Sequence, residues 1–203
     1  MYTFDNRGNR ATMVVTGAGV GTETGNYTVT YTYDMNNRLL TEIRTIGGRS
    51  EVTRFTYDNN GNQLTSVNHN NQTETRTYNA FNQLTQVTRP GMTAMYAYRG
   101  DGLRHSKTIN GVRTTHVWNG SFIVLELNTG NAVINRFYRS SRGGRLIRSS
   151  HHGWYLHNIR GDVVQRTNAN GAILRNYRYS AFGIERNAND MNTNPFRWGM
   201  YWD

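Results

Sequence analysis

Apolar and polar positions alternate along this chain in short runs. In Tyr31-Thr32-Tyr33, Phe55-Thr56-Tyr57 and Tyr96-Ala97-Tyr98 a large apolar side chain stands at every second position. After a polar gap come Leu39-Leu40-Thr41-Glu42-Ile43, Gln63-Leu64-Thr65-Ser66-Val67 and Gln83-Leu84-Thr85-Gln86-Val87. A period of two places neighbouring side chains on opposite faces of a strand. No stretch sustains the helical period of about 3.6 residues, so the pattern predicts strands throughout and few or no long helices.

The runs recur. Tyr2-Thr3-Phe4-Asp5, Tyr31-Thr32-Tyr33-Asp34, Phe55-Thr56-Tyr57-Asp58, Arg76-Thr77-Tyr78-Asn79 and Tyr96-Ala97-Tyr98-Arg99 align, with steps of 29, 24, 21 and 20 residues between their last positions. One unit therefore reads as strand, capped turn, strand, loop. An Asp at the turn accepts the backbone N–H two residues on, and the tyrosine before it covers the sheet face. The structural candidates are thus Tyr33 with Asp34, Tyr57 with Asp58, and Tyr78 with Asn79. At Arg99 the cap is lost and Asp101 is the candidate replacement. A lone hairpin is marginal in water, so successive units are expected to pair edge to edge.

Beyond residue 100 the period loosens, yet hairpin signals continue at Asn110-Gly111, Asn119-Gly120, Thr129-Gly130-Asn131 and Asn170-Gly171. Asn tolerates the left-handed backbone region and Gly enters it freely, so the pair favours tight turns. Two segments are expected, a repeat array over 1–105 and a less regular stretch over 106–203, with no true linker between them. The glycine-rich run Gly17-Ala18-Gly19-Val20-Gly21 reads as a flexible loop, because no helical pattern follows it.

Composition agrees with hairpins: 21 Gly, 2 Pro, 13 Tyr and only 36% hydrophobic residues. Without cysteine the fold uses neither disulfides nor thiolate metal sites. The N-terminus lacks a signal-peptide pattern and no apolar run could span a bilayer. Residues 1–98 carry a net charge of +1 and residues 99–203 a net charge of +9, with Lys107 the single lysine. The abundance of Arg over Lys suits planar hydrogen bonding and stacking on tyrosine.

At this point the residues resemble a known family. Tyr-Thr-Tyr-Asp, a turn, then Asn-Gln-Leu resembles the YD repeat of RHS, wall-associated and Tc-toxin proteins and of the teneurin shell. The stretch Trp154 to Val164, with Tyr155, His157, Arg160, Gly161 and Asp162, resembles the RHS motif in which an aromatic strand leads into Gly-Asp-Val. Tyr179, Phe182 and Gly183 follow, then Asn194, Pro195, Phe196 and Arg197, in the family's order. The family reads Tyr-Asp-Ala-Phe-Gly where this chain has Tyr179-Ser180-Ala181-Phe182-Gly183. The resemblance covers nearly the whole chain and identifies 106–203 as a shortened repeat-associated core segment. It implies an all-β fold of consecutive antiparallel hairpins in one curved, spiralling open sheet, part of a β-shell. It also implies a C-terminal effector downstream of the shell, which this chain does not reach.

Other motifs carry weaker signals. Arg160-Gly161-Asp162 spells an adhesion tripeptide, but Gly at a turn and Asp as its cap explain it. His151, His152 and His157 lie close together without cysteine, and no metal site is expected. Arg136, Arg139, Arg142, Arg145 and Arg148 recur every third residue. They are the candidates for a polyanion contact, although a three-residue step alternates faces. No catalytic elbow, zinc-binding helix or phosphate loop occurs, so neither an enzyme nor a cofactor is expected.

The expected function is a non-enzymatic shell segment that, in a complete parent, encapsulates or presents an effector. Enclosing a 100-residue cargo would take roughly 380 strand residues, about twice this chain. The chain is therefore expected to be a fragment, with the remaining shell and the effector cargo as its partners and self-association through open sheet edges. The alternative is a carbohydrate- or polyanion-binding surface module. The parent is expected to be secreted or displayed at the cell surface. This chain, without a signal peptide, is expected in the cytoplasm unless other parts export it.

Overall fold

The structure is a computed structural model and describes residues 1–16, 26–141, 144–179, 183, 185 and 194–196. These form seventeen strands and no helix. In chain order they are β1 (Tyr2–Phe4), β2 (Arg10–Val15), β3 (Tyr27–Tyr33), β4 (Leu39–Ile46), β5 (Arg49–Tyr57) and β6 (Gln63–Val67). They continue as β7 (Thr73–Tyr78), β8 (Leu84–Arg89), β9 (Met92–Tyr98), β10 (Arg104–Ile109), β11 (Val112–Asn119) and β12 (Phe122–Leu127). The last five are β13 (Val133–Arg139), β14 (Leu146–Ser149), β15 (Gly153–His157), β16 (Val163–Thr167) and β17 (Ile173–Asn176). The all-β class and the succession of antiparallel hairpins expected from the pattern are what the structure shows. Two compact units divide within β11, between Arg113 and Thr114.

In the first unit each strand from β1 to β10 pairs antiparallel with its neighbours in the chain. Few side chains are fully buried: Val29, Val87 and Ala94 among the apolar ones. Tyr31, Tyr33, Tyr57, Tyr78, Tyr96 and Tyr98 are half-buried on that same face. The opposite face is rich in threonine. Thr56, Thr65, Thr75, Thr88 and Thr93 stand in one cross-strand row over β5 to β9. Branched at Cβ, threonine suits a pleated strand, and its hydroxyl keeps a solvent-facing row wet.

In the second unit β11 to β17 pair in the same consecutive manner. Here a core exists: Ile123, Phe137, Leu146, Tyr155, Val163, Tyr177 and Phe196 are buried together, with Trp118 and Tyr179 packed against them. Gly153 admits a close backbone approach. Its φ is +81°, and a Cβ there would lie 2.3 Å from the Thr167 carbonyl oxygen. Only glycine meets both conditions.

Candidate functional site

Among the described residues nine hairpin turns share one construction. The first residue is Asp5, Asp34, Asp58, Asn68, Asn79, Arg99, Asn128, Asn158 or Asn168. In each, its N–H donates to the carbonyl of the residue four on, and its own carbonyl accepts from the N–H three on. The fourth residue is always Gly or Asn at positive φ, from 57° at Asn71 to 95° at Gly161. This is a three-residue loop, a type I turn closed by a left-handed residue. Asn170-Gly171 and Asn131 belong to this type, and Asn110-Gly111, with φ of 47° and 84°, forms the two-residue turn expected of the pair.

The leading side chain fastens the turn. Asp34 Oδ1 accepts the N–H of Asn36 at 2.9 Å and of Arg38 at 2.9 Å. Asp58 Oδ1 accepts the Asn62 N–H at 2.8 Å, and Asn79 Oδ1 accepts from Phe81 and Gln83, each at 3.0 Å. In the Arg99 turn, Asp101 Oδ1 accepts the Leu103 N–H at 3.1 Å. Hydrogen bonds hold the Asp5, Asp34 and Asp58 carboxyls below the usual carboxylate range: chiefly the Asn9 amide at Asp5, the Arg38 N–H at Asp34 and the Asn62 amide at Asp58.

The tyrosine ahead of the turn does more than cover a face. Tyr33 Oη donates to the Arg10 carbonyl at 2.9 Å, Tyr57 to Leu39 at 2.8 Å, Tyr78 to Gln63 at 3.1 Å and Tyr98 to Leu84 at 2.8 Å. Each acceptor is the first residue of a strand in the preceding hairpin. In every case pairing between the two strands stops two residues past the acceptor and three before the tyrosine. There the strands part, because a β-bulge follows the acceptor. The phenol bridges the gap and satisfies a carbonyl that the ladder leaves open. Desolvation raises the pKa of all four phenols, which keeps them protonated as donors. The turns also touch one another: Asn9 Nδ2 donates to Asn37 Oδ1 at 2.9 Å, Arg38 Nη1 to the Asp58 carbonyl at 3.0 Å, and Asn62 Nδ2 to Asn82 Oδ1 at 2.8 Å.

In the second unit Tyr179 Oη donates to the Val163 carbonyl at 2.8 Å with the same register. His157 takes the tyrosine position over β14, opposite Leu146, and its Nε2 is buried without a hydrogen-bond partner. Burial lowers its pKa, as does Arg145, while Asp162 acts in the opposite direction. Arg139 takes the corresponding position over β12. Its guanidinium lies 4.9 Å from the Phe122 ring centre and 5.3 Å from that of Phe196.

Asn194, Pro195 and Phe196 bring a distant part of the chain onto the core. Tyr155 Oη donates to Asn194 Oδ1 at 2.7 Å, and Asn194 Nδ2 donates to Tyr177 Oη at 3.1 Å. Burial pushes the Tyr155 phenol well above the ordinary tyrosine range. Phe196 meets Phe137 edge to face at 5.3 Å. Gly183 has a positive φ of 81°, while Phe182, Arg197 and Arg142 lie outside the described residues, as does the run from Gly17 to Gly21.

The Arg160-Gly161-Asp162 turn differs from its expected form. Asn158, not Asp162, is the cap: its Oδ1 accepts from Arg160 and Asp162, each at 3.0 Å. The Asp162 side chain is 4% exposed and accepts Asn158 Nδ2 at 2.7 Å, so the tripeptide is not presented as a ligand. Nor do the described arginines of the series all share one face. Arg139 faces the core, Arg136 and Arg148 lie on the opposite face, and Arg145 sits in the turn. Among the described residues no three His, Asp or Glu side chains are placed to hold a metal ion.

The family model of the teneurin YD-shell matches residues 3–166. Over 210 residues the chain is 29% identical to the tRNA3(Ser)-specific nuclease WapA of Bacillus spizizenii, covering 98% of this chain and 8% of that protein. The tRNA nuclease WapA of Bacillus subtilis matches with the same figures, 29% identity, 98% and 8%. Among solved structures, the crystal structure of TcdB2-TccC3-Cdc42 superposes with a TM-score of 0.52 at 14% identity, covering 98% of this chain and 13% of that one. TcdB2-TccC3 without its hypervariable C-terminal region gives 0.51 at 15% identity, again over 98% and 13%. At these identities the structural likeness is one of fold. The chain spans less than a tenth of the length of its WapA relatives.

Proposed function

The chain belongs to the teneurin YD-shell family, and from that premise we propose that it is a stretch of non-enzymatic wall. In a complete parent, secreted or displayed at the cell surface, that wall encloses or presents a C-terminal effector polypeptide. The observation that carries the reading is the repeated bond from each tyrosine to the bulge carbonyl of the preceding hairpin, made five times in one register. Such bonds fix hairpin to hairpin. The WapA relatives are named as nucleases, but this chain matches only 8% of their length. Among the described arginines of the every-third series Arg139 turns to the core while Arg136 and Arg148 lie on the other face, so the series forms no single stripe for the carbohydrate- or polyanion-binding alternative.

Limited proteolysis of the complete parent tests the reading. The downstream polypeptide is expected to resist a soluble protease, and to be digested when Tyr57, Tyr78 and Tyr98 are all replaced by Ala. Equal digestion in the native parent overturns the reading. The purified 203-residue chain is expected to leave tRNA intact; cleavage would make it an enzyme.

A further inference from the structure

The second unit buries one face of β13 to β15 and leaves the other apolar as well. On β13, Asn135 and Phe137 point into the core, while Ile134 and Tyr138 are each 46% exposed on the other face, with Arg136 between them. Tyr138, Arg148 and Trp154 pair across three strands. The Arg148 guanidinium lies 5.4 Å from the Tyr138 ring centre and 5.5 Å from that of Trp154. Ile147, the extra residue of a bulge, and Leu156 are exposed beside this row, and Ile159 is 99% exposed in the adjoining turn. The first unit solves the same problem with threonine.

Charge on this unit is one-sided. Among its described residues the acids are Glu126, Asp162 and Glu185, and all three side chains are buried. Arg136, Arg145, Arg148, Arg160 and Arg178 are exposed. A surface that is both apolar and uniformly basic calls for a partner that is both apolar and anionic.

We propose that this face of β13 to β15 docks on an anionic lipid bilayer surface. Trp and Tyr settle at the headgroup level, Ile and Leu enter the acyl boundary, and Arg reaches lipid phosphates. Nucleic acid would use the arginines but gains nothing from Ile134, Ile147, Leu156 and Ile159. Moreover, one guanidinium already covers a face of both rings on which bases would stack.

Flotation of the full chain with vesicles tests this. It is expected to bind phosphatidylcholine vesicles that contain phosphatidylglycerol, to ignore pure phosphatidylcholine, and to be released by high salt. An arginine near an anionic surface contributes about fivefold to partitioning, so Arg136→Gln with Arg148→Gln should lower it about thirtyfold. Arg54→Gln, on the threonine-rich face of β5, should leave it unchanged. Absent or equal binding to the two vesicle types overturns the proposal, as does an equal loss with Arg54→Gln. Binding of single-stranded RNA without vesicle affinity would assign the face to nucleic acid and overturn it. A dimer that buries Trp154 without vesicle affinity would assign it to a second copy, with the same result.

Discussion

Tyr179 holds the carbonyl of Val163 as Tyr33 holds that of Arg10: at 2.8 and 2.9 Å, three residues past the last pair on one strand and two short of it on the other. The two pairs belong to different units and share no neighbour, so the relation is a property of the hairpin itself. A strand that bulges must part from the next one, and a phenol is long enough to span the parting.

Replacing Tyr57 by Phe removes the donor and keeps the ring. The expected cost is about 1 kcal/mol, the scale of one net hydrogen bond with its acceptor left open. Tyr98→Phe should cost about the same, and the double variant about the sum, since the sites share no partner. Urea denaturation of the three variants measures it. A clearly smaller effect would mean that water serves the Leu39 carbonyl as well as the phenol does.

The turn carboxylates predict an acid limit. Asp5, Asp34 and Asp58 have folded pKa values below their ordinary one, so the stability they give is present above roughly pH 4 and is lost as pH falls through the lowered values. Asp58→Asn keeps an acceptor at Oδ1, as Asn79 does, and should reduce the loss between neutral and acid pH. Asp58→Ala should lower the thermal midpoint at neutral pH. Thermal midpoints recorded across that range separate the two outcomes.

His157 stands where the register calls for tyrosine. Its folded pKa is depressed, so its contribution is complete above roughly pH 6.5 and is lost as pH falls through the folded value. His157→Tyr should place a hydroxyl against the Leu146 carbonyl, add about 1 kcal/mol and remove this step from the pH profile. An unchanged profile would show that other groups set it.

Phe196→Ala should cost about 3–5 kcal/mol, the usual loss for a buried phenylalanine. The effect should fall on the second unit, whose core it completes. Hydrogen exchange resolved by residue checks this: amides of β13 to β16 should lose protection while those of β3 to β8 keep theirs.

Much of this was legible in the chain. Strands follow from period-two alternation, and the turns at Asp34 and Asp58 from a carboxylate ahead of Asn and Gly. The charge of Asp162 marks it as the cap in sequence, whereas the acceptor in the turn is Asn158. The turn needs an acceptor, not a charge, and Asp or Asn followed three residues later by Gly or Asn finds eight of the nine turns. The phenol's partner was hidden for another reason: Leu39 is eighteen residues from Tyr57, and its availability depends on a bulge that alternation does not reveal. Asn194 lies 39 residues from Tyr155, so no local pattern could place it, although the family motif includes it.

The reach of each phenol also governs what recombination between repeats can do. Among the described residues, donor and acceptor lie on neighbouring hairpins in all five bonds of this kind. Unequal crossing-over between similar coding repeats adds or removes whole hairpins, and each seam it creates between tyrosine-bearing repeats joins a tyrosine to a bulge in the register already used elsewhere. Chain length in this architecture is therefore heritable in steps of one hairpin, without any new contact having to be invented.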